Sequence, residues 1–570
     1  MAKNKLVTID QETRTLRLSV NNQSNKGYQL INGSDIILIN SLGDAKFEIK
    51  LRDGLKSQNI DLTELSNSEY NTGDVASVIK FLTDVGGIMN KPPPEEETPI
   101  VTSSFGEQLV VQPTTFIQTA PVYNFIPSNF IEYTSASGTT GVDNRMFKVT
   151  TGTTVFGYGK IQSLRALSYN AGQGGRARFT MRFDSAVADS WQAVGLMSIS
   201  DELSFGYNGL DFGIWYRKNG FAEVRTIAIT GASSGSTDLT LTLNSVVYTI
   251  PLTSGTVEHN AYEVADWLEN NQSVWKAEQL DDTVIISALT DGAKSGTYSF
   301  SHATATGTIT QNKAGVTKTS THIVQSEWNV NNLSDWNTPF DPTKGNVAQI
   351  TYKYLGFGDI FFWLENPDTG RFQNVHIIKY TNQNTTPSLL NPSFKLGLYA
   401  ESVGSTTDLS VYSASMAAFV DGTLTKTKNP RAVENTQSVG TGGFTNILTI
   451  RNRNTYNSFV NQAEIIPIIL SLSTDSSKSI EIRVVVNGTP SSDTDFTEVG
   501  TNLVSDIDVT ANTITSGTLL VASALRIEKL INLSDLEIRI FPSFTFSIAA
   551  RLTSGSSADV TAALTYYESI

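Results

Sequence analysis

The chain of 570 residues contains no cysteine. That excludes disulfides, thiol nucleophiles and cysteine-ligated metal sites, and it removes any dependence on an oxidising compartment. Histidine is almost as scarce: His259, His302, His322 and His376 are scattered without the spacing of a metal site. Charged residues make up 17% of the chain, where about a quarter is usual. Ser, Thr, Asn and Gly fill the gap, as they do in strands and turns exposed to water. The formal net charge of −14 argues against a surface built to neutralise nucleic-acid phosphates. No apolar run approaches the roughly 18 residues of a membrane-crossing helix, and Met1-Ala2-Lys3-Asn4-Lys5 leads into strand-like sequence rather than an apolar secretory core. The expectation is a chain with no membrane insertion, no nucleic-acid partner and no cofactor.

What is present is a strand pattern, clearest at 341–380. Residues 347–354 alternate, with Ala348, Ile350, Tyr352 and Tyr354 on one face and Gln349, Thr351 and Lys353 on the other, which predicts a half-buried strand. The unbroken apolar run 360–364 predicts a central strand covered on both faces. Asn366-Pro367-Asp368-Thr369-Gly370 supplies a turn, with Pro presetting φ, Asp bonding its own backbone and Gly taking positive φ, before a third strand at 372–380.

Read in order, the chain divides into an N-terminal β-rich attachment region (1–90) with one helix at 74–84, a Pro/Glu linker (91–114), a β-sandwich (115–230 and 321–421), an inserted α+β module (231–320), a polar linker (422–443) and a C-terminal β-sandwich (444–570). The module's helix is expected at 261–270, with Asn260 as N-cap and Glu263 completing a capping box. Its ends fall between strands of the sandwich, which predicts a projecting element that the host could lose without unfolding. The fold class is all-β: a lectin-like jelly roll plus a second sandwich, with the small α+β module inserted.

Three blocks carry a resemblance: GQGGRARFT at 172–180, FGYNGLDFGIWYRKNG at 205–220, and 341–394 with DPTKGNVAQITYKYLGFG and HIIKYTNQNTTPSLLNPSF. They resemble segments of virion structural proteins of tailed bacteriophages, over about the middle half of the chain. The resemblance implies a virion component assembled in the host cytoplasm and does not supply an activity; with no catalytic motif in the chain, the expectation is a non-enzymatic tail or surface appendage that contacts other virion proteins and host-surface glycans. A capsid-decorating or head-fibre protein and a glycan-cleaving depolymerase are the alternatives. It also implies a homo-oligomer, with a trimer favoured; the apolar runs 465–470 and 519–525 are candidates for subunit contacts as well as core.

No catalytic or metal constellation is evident. Gly172-Gln173-Gly174-Gly175 precedes a strand rather than a helix, so it is a turn and not a dinucleotide fingerprint, and Tyr158 stands where the glycine spacing 152–157 would need the lysine of a phosphate loop. Asp211, Glu365 and Asp368 are the carboxylates considered for glycoside chemistry, but nothing in the sequence pairs them. The acidic pairs Asp493/Asp495 and Asp506/Asp508 lack the glycine and bidentate Glu of a calcium loop. Trp191, Trp215, Trp328, Trp336 and Trp363 are the candidate sugar-stacking platforms, with Trp336, in the polar segment 331–337, the one expected to be exposed for glycan contact.

Overall fold

The computed structural model describes residues 113–569 apart from 125–128, 170, 423–428 and 492–493, together with the backbone of six strands between residues 6 and 61. The helix expected at 74–84 and the Pro/Glu stretch at 92–97 lie outside the described residues. In the N-terminal unit, Leu6–Asp10, Thr15–Val20 and Gln23–Gln29 form one antiparallel meander, and Ile36–Gly43, Lys46–Leu51 and Ser57–Asp61 form another.

The protein is an all-β, multidomain β-sandwich, and its largest domain packs a seven-stranded sheet against a nine-stranded one. One sheet has seven strands in the order Thr319–Val324, Asp211–Lys218, Glu202–Asn208, Ser190–Met197, Lys395–Ser402, Tyr158–Ser163, Phe130–Ser135. The opposing nine-stranded sheet begins Arg371–Ile378, Ile360–Asn366, Asn346–Tyr352, Gly175–Phe183. Alternate residues of both sheets meet in one core, where Phe147, Phe179, Phe183, Phe205, Phe362 and Phe394 are all fully buried. Edge-to-face pairs such as Phe205–Phe362 (centroids 5.6 Å apart) and Phe183–Tyr207 (5.8 Å) add about 0.5–1.5 kcal/mol each to that burial.

In the stretch 341–380 the expected roles of two strands are exchanged. Asn346–Tyr352 is buried on both faces from Ala348 onward, while Ile360–Asn366 buries only Ile360, Phe362 and Leu364. The polar residues of the first strand are covered because long neighbours reach them: Arg178 Nε donates to Gln349 Oε1 at 2.7 Å and Trp363 Nε1 to Thr351 Oγ1 at 3.0 Å. The turn forms with Gly370 at φ +66°, but Asn366 makes the side-chain bond to the turn, accepting from Asp368 N at 2.8 Å. Asp368 instead accepts from Asn337 N and Thr338 Oγ1, both at 2.8 Å.

The inserted module does not have the expected bounds of 231–320. Ala222–Gly231 is the third strand of its four-stranded sheet, whereas Thr319–Val324 pairs with Asp211–Lys218 and belongs to the sandwich. Periodicity does not assign either strand to a sheet: the first buries Ala222, Val224, Ile227 and Ile229, and the second is exposed over Thr319–Thr321 and half-buried over His322–Val324. The module's core packs Ile227, Ile229, Leu239, Leu241, Ile250 and Trp275 under the helix Val257–Asn271. That helix starts a turn before expectation. Thr256 is the N-cap, its Oγ1 accepting from His259 N at 3.2 Å. Asn260 is buried, and its side chain accepts from Ser233 N and donates to Thr253 O and Glu263 Oε2.

The polar linker expected at 422–443 is also corrected. Asn429–Val439 is an edge strand of the C-terminal sandwich, paired along its length with Ala558–Ser569. It looks like linker because only Val433 and Val439 of its apolar residues turn inward. The C-terminal core contains Ile465 and Leu470, both fully buried, whereas Leu519 and Leu520 lie exposed on the edge strand Thr518–Leu525.

Rather than projecting freely, the module is gripped by the C-terminal sandwich. Arg451 donates to Gln279 O at 2.6 Å, Asn454 N to Glu278 Oε2 at 2.8 Å, Asn454 Nδ2 to Ser287 Oγ at 2.6 Å, and Phe496 N to Gln279 Oε1 at 2.9 Å. Beneath these bonds Asp506 is fully buried and pairs with both Arg451 and Arg453.

Candidate functional site

The structure separates the residues singled out from the sequence. Trp336 is 7% exposed, in the sandwich core, and donates through Nε1 to Gln373 Oε1 at 2.7 Å. It offers no free ring face, so the exposed glycan contact expected there is withdrawn. Its neighbours in sequence are polar because they form the tight turn that tucks the indole inward, Leu333 N donating to Asn331 Oδ1. Trp328 is buried against Phe205 and Phe212. Trp363 is half-buried on the outer face of the nine-stranded sheet beside Phe361. Asp211 stands on the seven-stranded sheet, while Glu365 ends a strand of the other sheet and Asp368 lies in the turn that follows it. Among the described residues no cluster of histidine and acidic side chains could hold a metal ion. Asp508 holds the backbone of Asp495, Thr510 and Ala511, and Asp493 lies outside the described residues.

Trp191 and Trp215, in contrast, meet on the outer face of the seven-stranded sheet. Antiparallel pairing lays this face out in rows across the strands. The first row is Tyr158, Glu401, Trp191, Asn208 and Asp211. The next is Tyr133, Lys160, Tyr399, Ala193, Gly206 and Gly213. A third runs Gln162, Gly397, Gly195, Ser204, Trp215 and His322, and a fourth Lys395, Met197, Glu202, Arg217 and Ser320. The middle of the face is therefore paved with small residues. A Cβ on Gly206 would lie 1.8 Å from Gln192 O and one on Gly213 2.3 Å from Ile323 O, so neither position admits a side chain.

Over this floor the large side chains lie down. Ala193, Met197, Trp215 and Tyr399 form a satellite cluster, separate from the main core, against which Tyr158 and Trp191 pack half-buried. Trp191 and Trp215 are edge to face at 5.9 Å, and His322 sits 4.4 Å from Trp215. The Arg217 guanidinium stacks 4.0 Å from Trp215 and 4.8 Å from Trp191. Its Nη1 donates to Tyr399 Oη at 2.8 Å and to Glu202 Oε2 at 3.2 Å, and Glu202 Oε1 also accepts from Ser204 Oγ at 2.7 Å. Two buried donors have no protein acceptor, Trp215 Nε1 and Arg217 Nη2.

Burial shapes the protonation of this face. It lifts the Tyr133 hydroxyl to about 12, raises Tyr158 and Tyr399 well above the ordinary range, with carboxylates adding to the effect, and raises Glu401. It lowers His322, which is therefore neutral at pH 7. Lys160 is drawn down to about 8 by burial and then by Lys318, and Lys395 to about 8 by burial and then by Lys160. Burial also pulls Arg217 down, but Tyr399, Glu202 and Glu401 outweigh it and the net shift is upward.

This arrangement was not legible in the sequence. Its members come from seven strands spread over 133–401, and each occupies a strand position that alternation alone assigns to solvent. The one available signal was the run of small residues at alternate positions, Ala193 and Gly195 on one strand with Ser204 and Gly206 on the next.

No protein-family model matches the chain, and no curated protein matches it. Among solved structures it is similar to the cellulose-induced protein Cip1, at 9% identity over 53% of this chain and 96% of that one, with a TM-score of 0.23. It is also similar to lectin II from Ulex europaeus, at 10% identity over 54% and 100%, TM-score 0.20. Arcelin-5, a lectin-like defence protein from Phaseolus vulgaris, aligns at 10% identity over 55% and 100%, TM-score 0.21. No residue role is carried over from these structures.

Proposed function

We propose that this chain is a non-enzymatic component of a phage virion, a tail or surface appendage that contacts host glycans through the outer face of its seven-stranded sheet. The observation that carries the glycan reading is the first row of that face, where the half-buried rings of Tyr158 and Trp191 flank Glu401 on the two neighbouring strands. A pyranose has an apolar face and a rim of hydroxyls. Paired aromatic side chains with a carboxyl between them complement both at once, and rings on rigid strands lose little entropy on binding. The virion reading is supported by the co-linear sequence blocks, two of which, 172–180 and 205–220, build strands of the sandwich itself.

The face is built to bind rather than to cleave. Of the other carboxyls on this face, Glu202 is committed to Arg217, Ser204 and Tyr399, so it is not free to transfer a proton to a glycosidic oxygen, and Asp211 stands three strands from Glu401 in the same row. In assembly the chain forms a homo-oligomer, a trimer favoured, alongside other virion proteins. Immunogold labelling of intact virions tests the placement: label at the tail or an appendage supports it, label over the shell supports the decoration reading instead, and absence of label refutes a virion role. Trp191→Ala should abolish binding to host-envelope glycans without changing the fold, as read by circular dichroism. Release of oligosaccharides from those glycans by the native protein would overturn the non-enzymatic assignment.

A further inference from the structure

The outer face of the nine-stranded sheet, on the far side of the sandwich from Trp191, carries an open cleft of about 360 Å³, within the usual range for sites that hold a small ligand. A β-bulge shapes it. Thr115 and Gln118 are three residues apart on the strand Thr114–Thr119, a spacing that simple alternation sends to opposite faces. The register shifts at Phe116, so that Ala418 of the strand Met416–Val420 pairs with Ile117 and Phe419 with Thr115. Phe116 and Ile117 are therefore both buried, and Thr115 and Gln118 are both exposed on the outer side. Pairing then sets Gln118, Ala417, Arg178 and Gln349 in one row across four strands. Ala417 is the short member of that row, so the surface dips between Gln118 and Arg178, with Phe419 toward one end of the dip and Thr180 toward the other.

Arg178 stands at the wall of this cleft as a fixed cation. Its side chain is exposed, and Nε donates to Gln349 Oε1 at 2.7 Å. The guanidinium carbon lies 5.4 Å from the Phe372 ring and 5.7 Å from the Phe419 ring. With Nε spent on Gln349, the two Nη groups form the free edge. Arg176, on the same face of the same strand, is buried and paired with Asp421 at 3.1 Å. Arg178 has no carboxylate within ion-pair distance among the described residues; Glu365, on the same face, belongs to a strand two away, beside Phe372, and does not reach it. Two arginines thus share one acid. Burial, and then the charge of Arg176, lower the pKa of Arg178, and an entering anion offsets that. Arg178 is also the one charged residue among those lining the cleft. A single guanidinium fork matches one planar carboxylate, whereas a phosphate calls for further cations or a helix N-terminus.

We infer that this cleft is a binding site for the carboxylate of an acidic sugar residue. The carboxylate accepts from the two Nη groups of Arg178, the apolar side of the pyranose lies over Ala417 against Phe419, and its hydroxyls meet the exposed Gln118 amide and Thr115 hydroxyl. The site goes beyond the proposal for the Trp191 face and does not depend on it. Charge-assisted hydrogen bonds of this kind are about twice as strong as neutral ones, and the arginine is already in place before the ligand arrives.

The test uses the full-length protein with trigalacturonate, a hyaluronan tetrasaccharide and disialic acid, each beside its carboxyl-methyl ester, and acetate as the bare carboxylate, with binding read by calorimetry. At least one acid should bind, and its ester and acetate should bind about tenfold or more weakly, as expected for the loss of one charged hydrogen-bond pair or of the ring contacts. Arg178→Gln should reduce the acid to the level of its ester with the melting temperature unchanged. Ala417→Phe, which fills the dip and leaves Arg178 in place, should abolish binding of the same acid, and it decides the matter if Arg178→Gln does not fold. Trp191→Ala, on the opposite face, should leave the acid's affinity as it was. If no acid binds, if esters or acetate bind as tightly as the acids, or if the acid survives Arg178→Gln and is lost in Trp191→Ala, the inference is overturned, and in each case the proposal for the Trp191 face is judged separately by its own neutral-glycan binding.

Discussion

His376 shows at the scale of one side chain how burial writes itself into behaviour. It is 6% exposed, its Nδ1 accepts from Asn329 N at 3.2 Å, and burial lowers its pKa to about 4. The unfolded chain takes up that proton near pH 6.5, so between 6.5 and 4 the unfolded state binds more protons and folding stability falls as the pH falls. A shift of this size corresponds to on the order of 3 kcal/mol. His376→Gln keeps the acceptor and cannot titrate. Urea unfolding of the sandwich at pH 7 should differ little between the two proteins, and at pH 4.5 the variant should be the more stable; parallel pH profiles would refute the account. The sequence places His376 in the strand expected at 372–380, and the structure buries it there. The sequence placed Trp336 wrongly because a turn of polar residues around an indole has the composition of an exposed loop, and only tertiary packing shows which way the ring points.

At the scale of elements, the termini and edges carry the consequences. The helix Val257–Asn271 begins at Thr256, so Thr256→Ala should cost about 1 kcal/mol of module stability, while the Asn260→Ala change should cost more because it frees Ser233 N as well as Thr253 O in a buried site. Thermal melts of the two variants that came out in the reverse order would restore Asn260 as the cap. The capping pattern in the sequence was genuine as a bond, since Asn260 does meet Glu263, but a hydrogen bond three residues apart forms equally well inside the first turns as at their start. Strand edges differ in a way the sequence does show. Asn429–Val439 is guarded by Pro430, Arg431 and Glu434, and Phe496–Glu498 is only three residues long. Thr518–Leu525 has no charge and no proline, exposes Leu519 and Leu520, and continues into Ile527 and Leu530 on the neighbouring edge strand Glu528–Asn532 and its turn. An unguarded edge of this length pairs with another chain or aggregates. Leu519→Lys with Leu530→Lys should therefore convert the proposed oligomer to a soluble monomer in light scattering; an unchanged mass would place the subunit contact elsewhere.

At the scale of the whole molecule the module is either an ornament or a structural part. Insertion between two neighbouring strands of a sandwich suggests the former, and the sequence supports it, because long-range contacts between domains leave no local periodicity. The structure shows the module's strand Trp275–Leu280 bonded to the C-terminal sandwich through Glu278 and Gln279, over a buried Asp506 shared by Arg451 and Arg453. Glu278 is itself buried, which raises its pKa, with Arg451 opposing the rise. Two guanidinium groups and two carboxyls in such a site are tolerable only as a set, and removing one partner costs about 3–5 kcal/mol because a charge is left uncompensated. Replacing residues 219–318 by a short Gly/Ser linker should therefore leave the larger sandwich folded, since its strands Asp211–Lys218 and Thr319–Val324 are adjacent and would be rejoined. The C-terminal sandwich should melt earlier in the same protein, having lost the carbonyl and carboxylate that Arg451 and Asn454 use. Asp506→Asn in the intact chain should lower the same transition without any excision. Calorimetry resolves the two transitions: an unchanged C-terminal melt in both variants would show that the contact adds no stability and that the module is free to project, whereas a fall confined to that transition identifies the module as the piece that fixes one sandwich against the other.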